Sequence, residues 1–400
     1  MTAARMKTKV VVTGAGVISP LGAGIEEFER ELYAGQSALK PSAQFDGMTT
    51  AEVTDFQPQT WLGNKGVRVL DRTARLLCVA THMALCHAGV ESPAPLSEGS
   101  ELGLVYGTMF GSMRSITSFD WTSVTEGPSY VSPMEFPNTV ISSPGGQAAI
   151  KYGLRGVNST ICAGSAAALH ALNCAAEFIR FGRARAVLAG GAEELCQEAI
   201  HSFGYRGLLS PRGTVRPFAQ ERDGTALGEG SALWMLEDED RAAARGRTPL
   251  LEVYGFGEAQ DDAPTAECAA AAMRQALKNS AIGAEQIACV IAGASGSPSV
   301  DQAEERALLA VFGRRLSEIP VCAPKAALGE AMGASGAYCA LVAGLALMRQ
   351  SVPPTANHDE RSSGPLALSS CAKEIRGEYA LVNAFSHDGN ATSLVLRRPT

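Results

Sequence analysis

The residues in this 400-residue chain that could form a covalent bond to a substrate are few, and Cys162 has the most informative surroundings of its ten cysteines. Val157–Ile161 is a short β-branched run that reads as a buried strand. Cys162 ends it. Ala163, Gly164 and Ser165 follow, and a helix of small residues then runs to about Phe181. Gly182 stops that helix, and Ala186–Leu188 opens the next strand. A cysteine at a strand-to-helix turn faces free backbone N–H groups and the positive end of a helix dipole. Both favour a thiolate, so the spacing predicts a thiol pKa below that of a free cysteine. The same N–H groups can hold a developing oxyanion. The alternative is a buried structural cysteine, since free Cys often packs as a small core residue.

The elements around Cys162 follow from periodicity. Lys9–Val12 reads as a strand and Thr13-Gly14-Ala15-Gly16 as a tight turn. TGAGVIS lacks the third spaced glycine and the later acidic residue of a dinucleotide loop. Ile25–Ala34 and Arg68–Ala88 are expected helices, and Leu102–Tyr106 a strand. Between Gly111 and Gly145 bulky apolar residues and prolines sit in an irregular pattern, expected as a capping or interface layer. Beyond Leu250 the pattern is strand 250–257, helix 265–279, strand 287–292, helix 303–312, strand 321–323, helix 333–349, and strands 379–384 and 392–397. The two halves echo each other. Leu104-Val-Tyr-Gly107 is like Val290-Ile-Ala-Gly293, and Ala186-Val-Leu-Ala189 is like Ala380-Leu-Val-Asn383. Strands alternating with helices, twice over, imply an α/β layered fold with an internal repeat.

Composition excludes several function classes. The chain is 46% hydrophobic and 19% charged, enough for a large core, and its formal net charge of −7 does not suit nucleic acid. No apolar run is expected to reach transmembrane length, and no secretory h-region opens the chain. Ten cysteines without framework spacing suggest reduced thiols in a cytoplasmic protein. CxxC and HExxH patterns are absent, so neither metal nor cofactor is expected.

Four segments in order carry a family resemblance: Val10–Gly22 (VVVTGAGVISPLG), Val157–Leu195 around Cys162, Arg216–Asp238 (RPFAQERDGTALGEGSALWMLED) and Pro324–Ala337 (PKAALGEAMGASGA). Together they resemble the β-ketoacyl-acyl-carrier-protein synthases of the thiolase-like superfamily. The resemblance implies a five-layer αβαβα fold with internal duplication. Its halves are 1–249, with a capping segment at 108–145, and 250–400, packed as one body.

It also implies a site. A condensing synthase needs a thiolate to hold the acyl chain, an oxyanion hole, and groups that drive decarboxylation of a malonyl unit. Cys162 matches the family cysteine and Lys325 the family lysine, with Asp301 and Glu304 as candidate carboxylate partners. The two family histidines are missing. Gly293 stands in the first place, within Ala292-Gly-Ala-Ser-Gly-Ser-Pro298, and Glu330 in the second, within Lys325-Ala-Ala-Leu-Gly-Glu330. Glycine has no side-chain donor, and an ionised Glu accepts but does not donate. Lys325 is expected to neutralise Glu330. The family's C-terminal loop closes over the cysteine and lends an oxyanion N–H; here it reads Phe385-Ser386-His387-Asp388-Gly389, with His387 in the place of a gating Phe. Gly293, Phe385 and Gly389 are therefore expected to touch substrate. Among the six histidines, His170 reads as a core or subunit contact.

These departures are similar to a chain length factor, a non-condensing subunit that pairs with a complete ketosynthase and shapes the acyl channel. The expected partners are that ketosynthase, in a heterodimer or else a homodimer, an acyl carrier protein, and acyl and malonyl thioesters. The strand before Cys162 is expected at the dimer interface. The alternative is an autonomous Cys-dependent synthase or acyltransferase, with His387, Lys325 or Glu330 moving the proton.

Overall fold

The computed structural model, which describes residues 8–90, 101–359 and 364–399, begins with a strand longer than expected. Every residue of β1 (Val10–Ser19) is buried. Thr13-Gly14-Ala15-Gly16, expected as a tight turn, lies inside this strand, where a register shift between Val12 and Gly14 absorbs the irregularity. The glycines serve packing. A Cβ on Gly14 would lie 2.5 Å from Ala88 N, and one on Gly16 2.2 Å from Ala80 O. Only glycines let the helix over Arg72–His87 sit so close to the strand.

Besides β1, the first half holds β2 (Gly103–Thr108), β3 (Asn158–Cys162), β4 (Ala186–Glu193) and β5 (Gly230–Asp238), in the order β3-β2-β4-β5-β1. The second holds β6 (Leu251–Gln260), β7 (Ile287–Ile291), β8 (Val321–Cys322), β9 (Tyr379–Phe385) and β10 (Asn390–Arg397), in the order β8-β7-β9-β10-β6. In each half a central strand runs parallel to two neighbours, and the next two pairings are antiparallel. β1 and β6 meet antiparallel through Val11 and Val12. The repeat read from the sequence is thus present in pairing as well as in order.

The principal helices are α1 (Ile25–Tyr33), α2 (Arg72–His87), α3 (Met113–Thr125), α4 (Ser143–Tyr152), α5 (Ala167–Arg180), α6 (Ala266–Ser280), α7 (Pro298–Phe312) and α8 (Ser335–Arg349). α2 and α4 lie on the first half of the sheet, and α6 packs on the second half with α7 against it. α5 and α8 touch each other between the two halves of the sheet. This is the α/β five-layer thiolase-like arrangement. The middle helices are alanine-rich because both of their faces are covered. Met332–Arg349 is apolar and long enough to cross a membrane, which corrects the reading that no such run exists; 89% of it is buried within the protein, as for a core helix.

Two further expectations are corrected. β3 is not a buried strand. It is the edge of the long sheet, and along it Asn158 and Cys162 are exposed and Ser159–Ile161 half-buried. The stretch between Gly111 and Gly145 is not irregular throughout, because α3 fills much of it. That helix buries none of its residues, so no apolar stripe announced it. Around it, Trp121, Tyr130, Met134 and Phe136 are 61–72% exposed.

Candidate active site

β3 places Cys162 at its C-terminal end, and the chain passes through Ala163 into a 3-10 turn, Gly164–Ala166, before α5 starts. Gly164 has φ +54°, and a Cβ there would lie 2.3 Å from Ser386 Oγ. Glycine is required on both counts. Cys162 is open to solvent on one side, and its Sγ–H donates to Met109 O at 3.2 Å. Its pKa is raised, first by partial burial of the sulfur, then by the carboxylates of Glu193 and Asp388. This reverses the expectation of a lowered pKa. The 3-10 turn separates the sulfur from the first turn of α5, and a helix dipole acts only over that first turn.

Lys325 and Glu330 are both buried, at 3% and 1% exposure, and Lys325 Nζ donates to Glu330 Oε2 at 2.6 Å. Glu330 Oε1 accepts from Met332 N at 2.8 Å and from Ser335 Oγ at 2.6 Å. Burial alone would push the lysine down and the glutamate up; their mutual attraction outweighs it, so Lys325 is raised and Glu330 lowered. Glu330 is therefore an ionised acceptor with its oxygens engaged, matching the expected neutralisation by Lys325.

The expectation that Asp301 or Glu304 pairs with Lys325 is corrected: the direct partner is Glu330. Asp301 is buried and accepts from Ser295 N, Gly296 N and Phe218 N at 2.9–3.0 Å. It shapes the loop after β7, and burial raises its pKa to about 6. Glu304 accepts from Gly293 N at 3.1 Å and Asn383 Nδ2 at 2.9 Å, and burial raises it to about 7. Lys325 lies within its electrostatic reach. Gly293 is enclosed by backbone. A Cβ there would lie 3.0 Å from Asn383 O and 3.1 Å from Ala384 Cα.

The C-terminal loop folds over the turn after Cys162, where Ser386 Oγ accepts from Ser165 N at 3.4 Å. Phe385 is buried in the second-half core, with Leu381 and Val395 in the same cluster. Gly389 (φ +82°) closes the loop through its N–H to Ser386 O, and a Cβ there would lie 2.1 Å from Asp261 O. His387 is half-buried and meets Phe203 edge-to-face at 6.0 Å between ring centroids. Burial pushes its imidazole down to about 4, Lys325 and Arg206 adding to the fall and Glu330 opposing it. It is a neutral imidazole at pH 7. Among the described residues no hydrogen bond joins it to Cys162. His170 bonds Asn390 Oδ1 at 3.2 Å and Glu258 at 3.3 Å, a contact with the second half of the same chain.

One acid beside Cys162 was missed. Glu193 ends β4, fully buried, and accepts from Thr108 Oγ1, Met109 N, Phe110 N and Gly333 N at 2.5–3.0 Å. The signal was available: two consecutive acids directly follow the apolar run Ala186–Ala192, where a charged residue must find partners.

Comparison with known proteins agrees with the fold. Residues 7–242 match the family described as "Beta-ketoacyl synthase, N-terminal domain" and residues 252–359 "Beta-ketoacyl synthase, C-terminal domain". The chain is 31% identical to 3-oxoacyl-[acyl-carrier-protein] synthase 2 of Vibrio cholerae, covering 98% of this chain and 99% of that protein. The Coxiella burnetii protein of the same name is 30% identical at the same coverage. Among solved structures, the ishigamide ketosynthase/chain length factor superposes with a TM-score of 0.90 at 29% identity, covering 98% of this chain and 100% of that one. A β-ketoacyl synthase from Burkholderia phymatum gives 0.91 at 30% identity and the same coverage.

Proposed function

This chain belongs to the β-ketoacyl synthase family, and we propose that within it the chain acts as a ketosynthase-like subunit of the chain length factor type, shaping an acyl channel beside an active synthase. The observation that carries this is the Lys325–Glu330 pair. Where a condensing site of this family has a histidine, Glu330 is an ionised carboxylate whose oxygens already accept from Lys325, Met332 and Ser335. It offers no proton to a developing enolate, and its charge opposes a malonyl carboxylate. Gly293, at the other histidine position, presents only backbone. His387 is neutral and has Phe203 against its ring. Oxyanion donors of the kind lost are each worth about 3–4 kcal/mol of barrier, enough together to remove measurable condensation.

The partner is a complete ketosynthase, with an acyl carrier protein delivering the thioesters. The free edge of β3 and the exposed apolar side chains around α3 are the surface we assign to that subunit. An exposed Cys162, with relatives named as 3-oxoacyl-[acyl-carrier-protein] synthases, favours a second reading. In it the chain is autonomous and Cys162 takes up an acyl group. One assay separates the two. The purified, folded chain is incubated with acyl and malonyl thioesters of a carrier protein, alone and with a ketosynthase from the same source. The first reading expects no elongation by this chain alone, and in the mixture a product length that changes when this chain is omitted. Elongation by the isolated chain overturns it.

A further inference from the structure

Glu193 has so far appeared only as a charge near Cys162, and its contacts tie two parts of the site together. Its Oε1 accepts from Thr108 Oγ1 and Phe110 N, and its Oε2 from Met109 N and Gly333 N. The Met109 peptide unit is therefore held at its nitrogen by Glu193, and the next carbonyl along that segment, Met109 O, receives the Cys162 thiol proton. On the other side, Gly333 adjoins Met332, whose N–H is held by Glu330. Two buried carboxylates thus clamp consecutive amides of one turn. A Cβ on Gly333 would lie 2.5 Å from Glu193 Oε2, so the glycine is what admits the carboxylate.

We propose that Glu193 is a positioning residue for Cys162, presenting the Met109 carbonyl to the sulfur and keeping it in the protonated thiol form. Two effects act in the same direction. A hydrogen bond from the S–H stabilises the neutral form, and a nearby negative charge disfavours the thiolate. The titratable groups that face Glu193 are Cys162, Tyr106 and Glu194, and Asp388 faces Cys162 from the C-terminal loop. Burial raises Glu193 to about 7, so its charge is present in the upper part of the physiological range.

The inference rests on the proposed function only in giving Cys162 a use; the test reads the thiol directly and involves no condensation. The rate of Cys162 alkylation by iodoacetamide is followed from pH 6 to 10 by peptide mass spectrometry, in the full-length protein and in Glu193→Gln. The glutamine removes the charge and sets an amide N–H₂ against one of the backbone donors. The midpoint should fall by roughly half a unit or more, with thermal unfolding still cooperative. An unchanged midpoint in a folded Glu193→Gln protein overturns the proposal. Where that variant fails to fold, Thr108→Val decides. It removes one donor to Glu193, loosens the carboxylate's hold on the Met109 segment, and should move the midpoint down by a smaller amount. A midpoint that stays or rises in Thr108→Val overturns the proposal equally.

Discussion

Replacing Glu330 by glutamine tests the electrostatics on which the functional reading depends. The substitution keeps the size and keeps Oε1 as an acceptor for Met332 N and Ser335 Oγ. It replaces Oε2, which accepts from Lys325 at 2.6 Å, by an N–H₂ that faces an ammonium. Removing one partner of a buried ion pair costs about 3–5 kcal/mol, because the other charge is left in low dielectric. Glu304 limits the loss. It lies within electrostatic reach of Lys325 and is raised to about 7 by burial. With Glu330 neutral, ionised Glu304 becomes the counter-charge, so the lower end, about 3 kcal/mol, is expected. The assay is urea unfolding of the wild type, Glu330→Gln, Lys325→Met and the double variant, followed by two probes because a two-half chain need not unfold in one step. The double variant, with both charges gone, should be clearly more stable than the sum of the single losses implies. A loss below about 1 kcal/mol in Glu330→Gln, or strict additivity in the double variant, would refute a tight ion pair between Lys325 and Glu330.

Three further outcomes are expected. Gly293→Ala should lose about 1–3 kcal/mol in urea unfolding, because its Cβ would press on the Asn383 and Ala384 backbone; a neutral effect would show that this backbone yields to a Cβ. Glu193 and Glu304 at about 7 and Glu194 at about 8 are raised above their unfolded values, so the folded state holds protons that the unfolded state releases. Stability should therefore fall as pH climbs from about 5 to 8.5, most steeply above about 6.5; His387, lowered to about 4, opposes the fall up to about 6.5, and Glu330, being lowered, acts only below that window, and a melting temperature that rises between about 6.5 and 8.5 would contradict the assignment. Thr160→Pro, in the middle of β3, should convert a dimer into a monomer in sedimentation at micromolar concentration; a wild type that sediments as a monomer, alone and with a ketosynthase, counts against the β3 interface.

Periodicity and turn chemistry located most elements within a few residues, because middle-layer helices and buried strands are continuous apolar runs. Two failures have physical causes. Gly14 and Gly16 looked like turn residues because glycine signals both a turn and a close backbone approach; only the helix packed on them distinguishes the two. α3 was hidden because none of its residues is buried, so no apolar stripe marks it. Within the site, the residue types were legible and their pairings were not. Asp301 and Glu304 were plausible partners for Lys325 by position, yet a loop of backbone N–H groups takes the first, and Gly293 and Asn383 take one oxygen of the second. The raised thiol of Cys162 was likewise out of reach, since it comes from partial burial and then from Glu193 and Asp388, which approach from other strand ends.

The duplication shows what Glu330 does for the backbone around it. The 3-10 turns Gly164–Ala166 and Met332–Ala334 occupy matching places, each leading into a middle-layer helix. Their first residues share a left-handed backbone, Gly164 at φ +54° and Met332 at φ +50°. Their second residues each donate to the other half: Ser165 N to Ser386 Oγ, and Gly333 N to Glu193 Oε2. Two residues before each turn stand Cys162 in one half and Glu330 in the other. Glycine adopts φ > 0 freely, whereas for methionine it costs about 1 kcal/mol or more. Glu330 holds that strained turn through Met332 N and Ser335 Oγ while it neutralises Lys325. Replacing it with histidine removes the carboxylate oxygen that accepts both contacts and leaves Glu304 as the nearest counter-charge to Lys325. Glu330 is thus a structural member of its turn as well as an electrostatic one. A histidine at that position must take over both acceptor contacts as well as act as a donor.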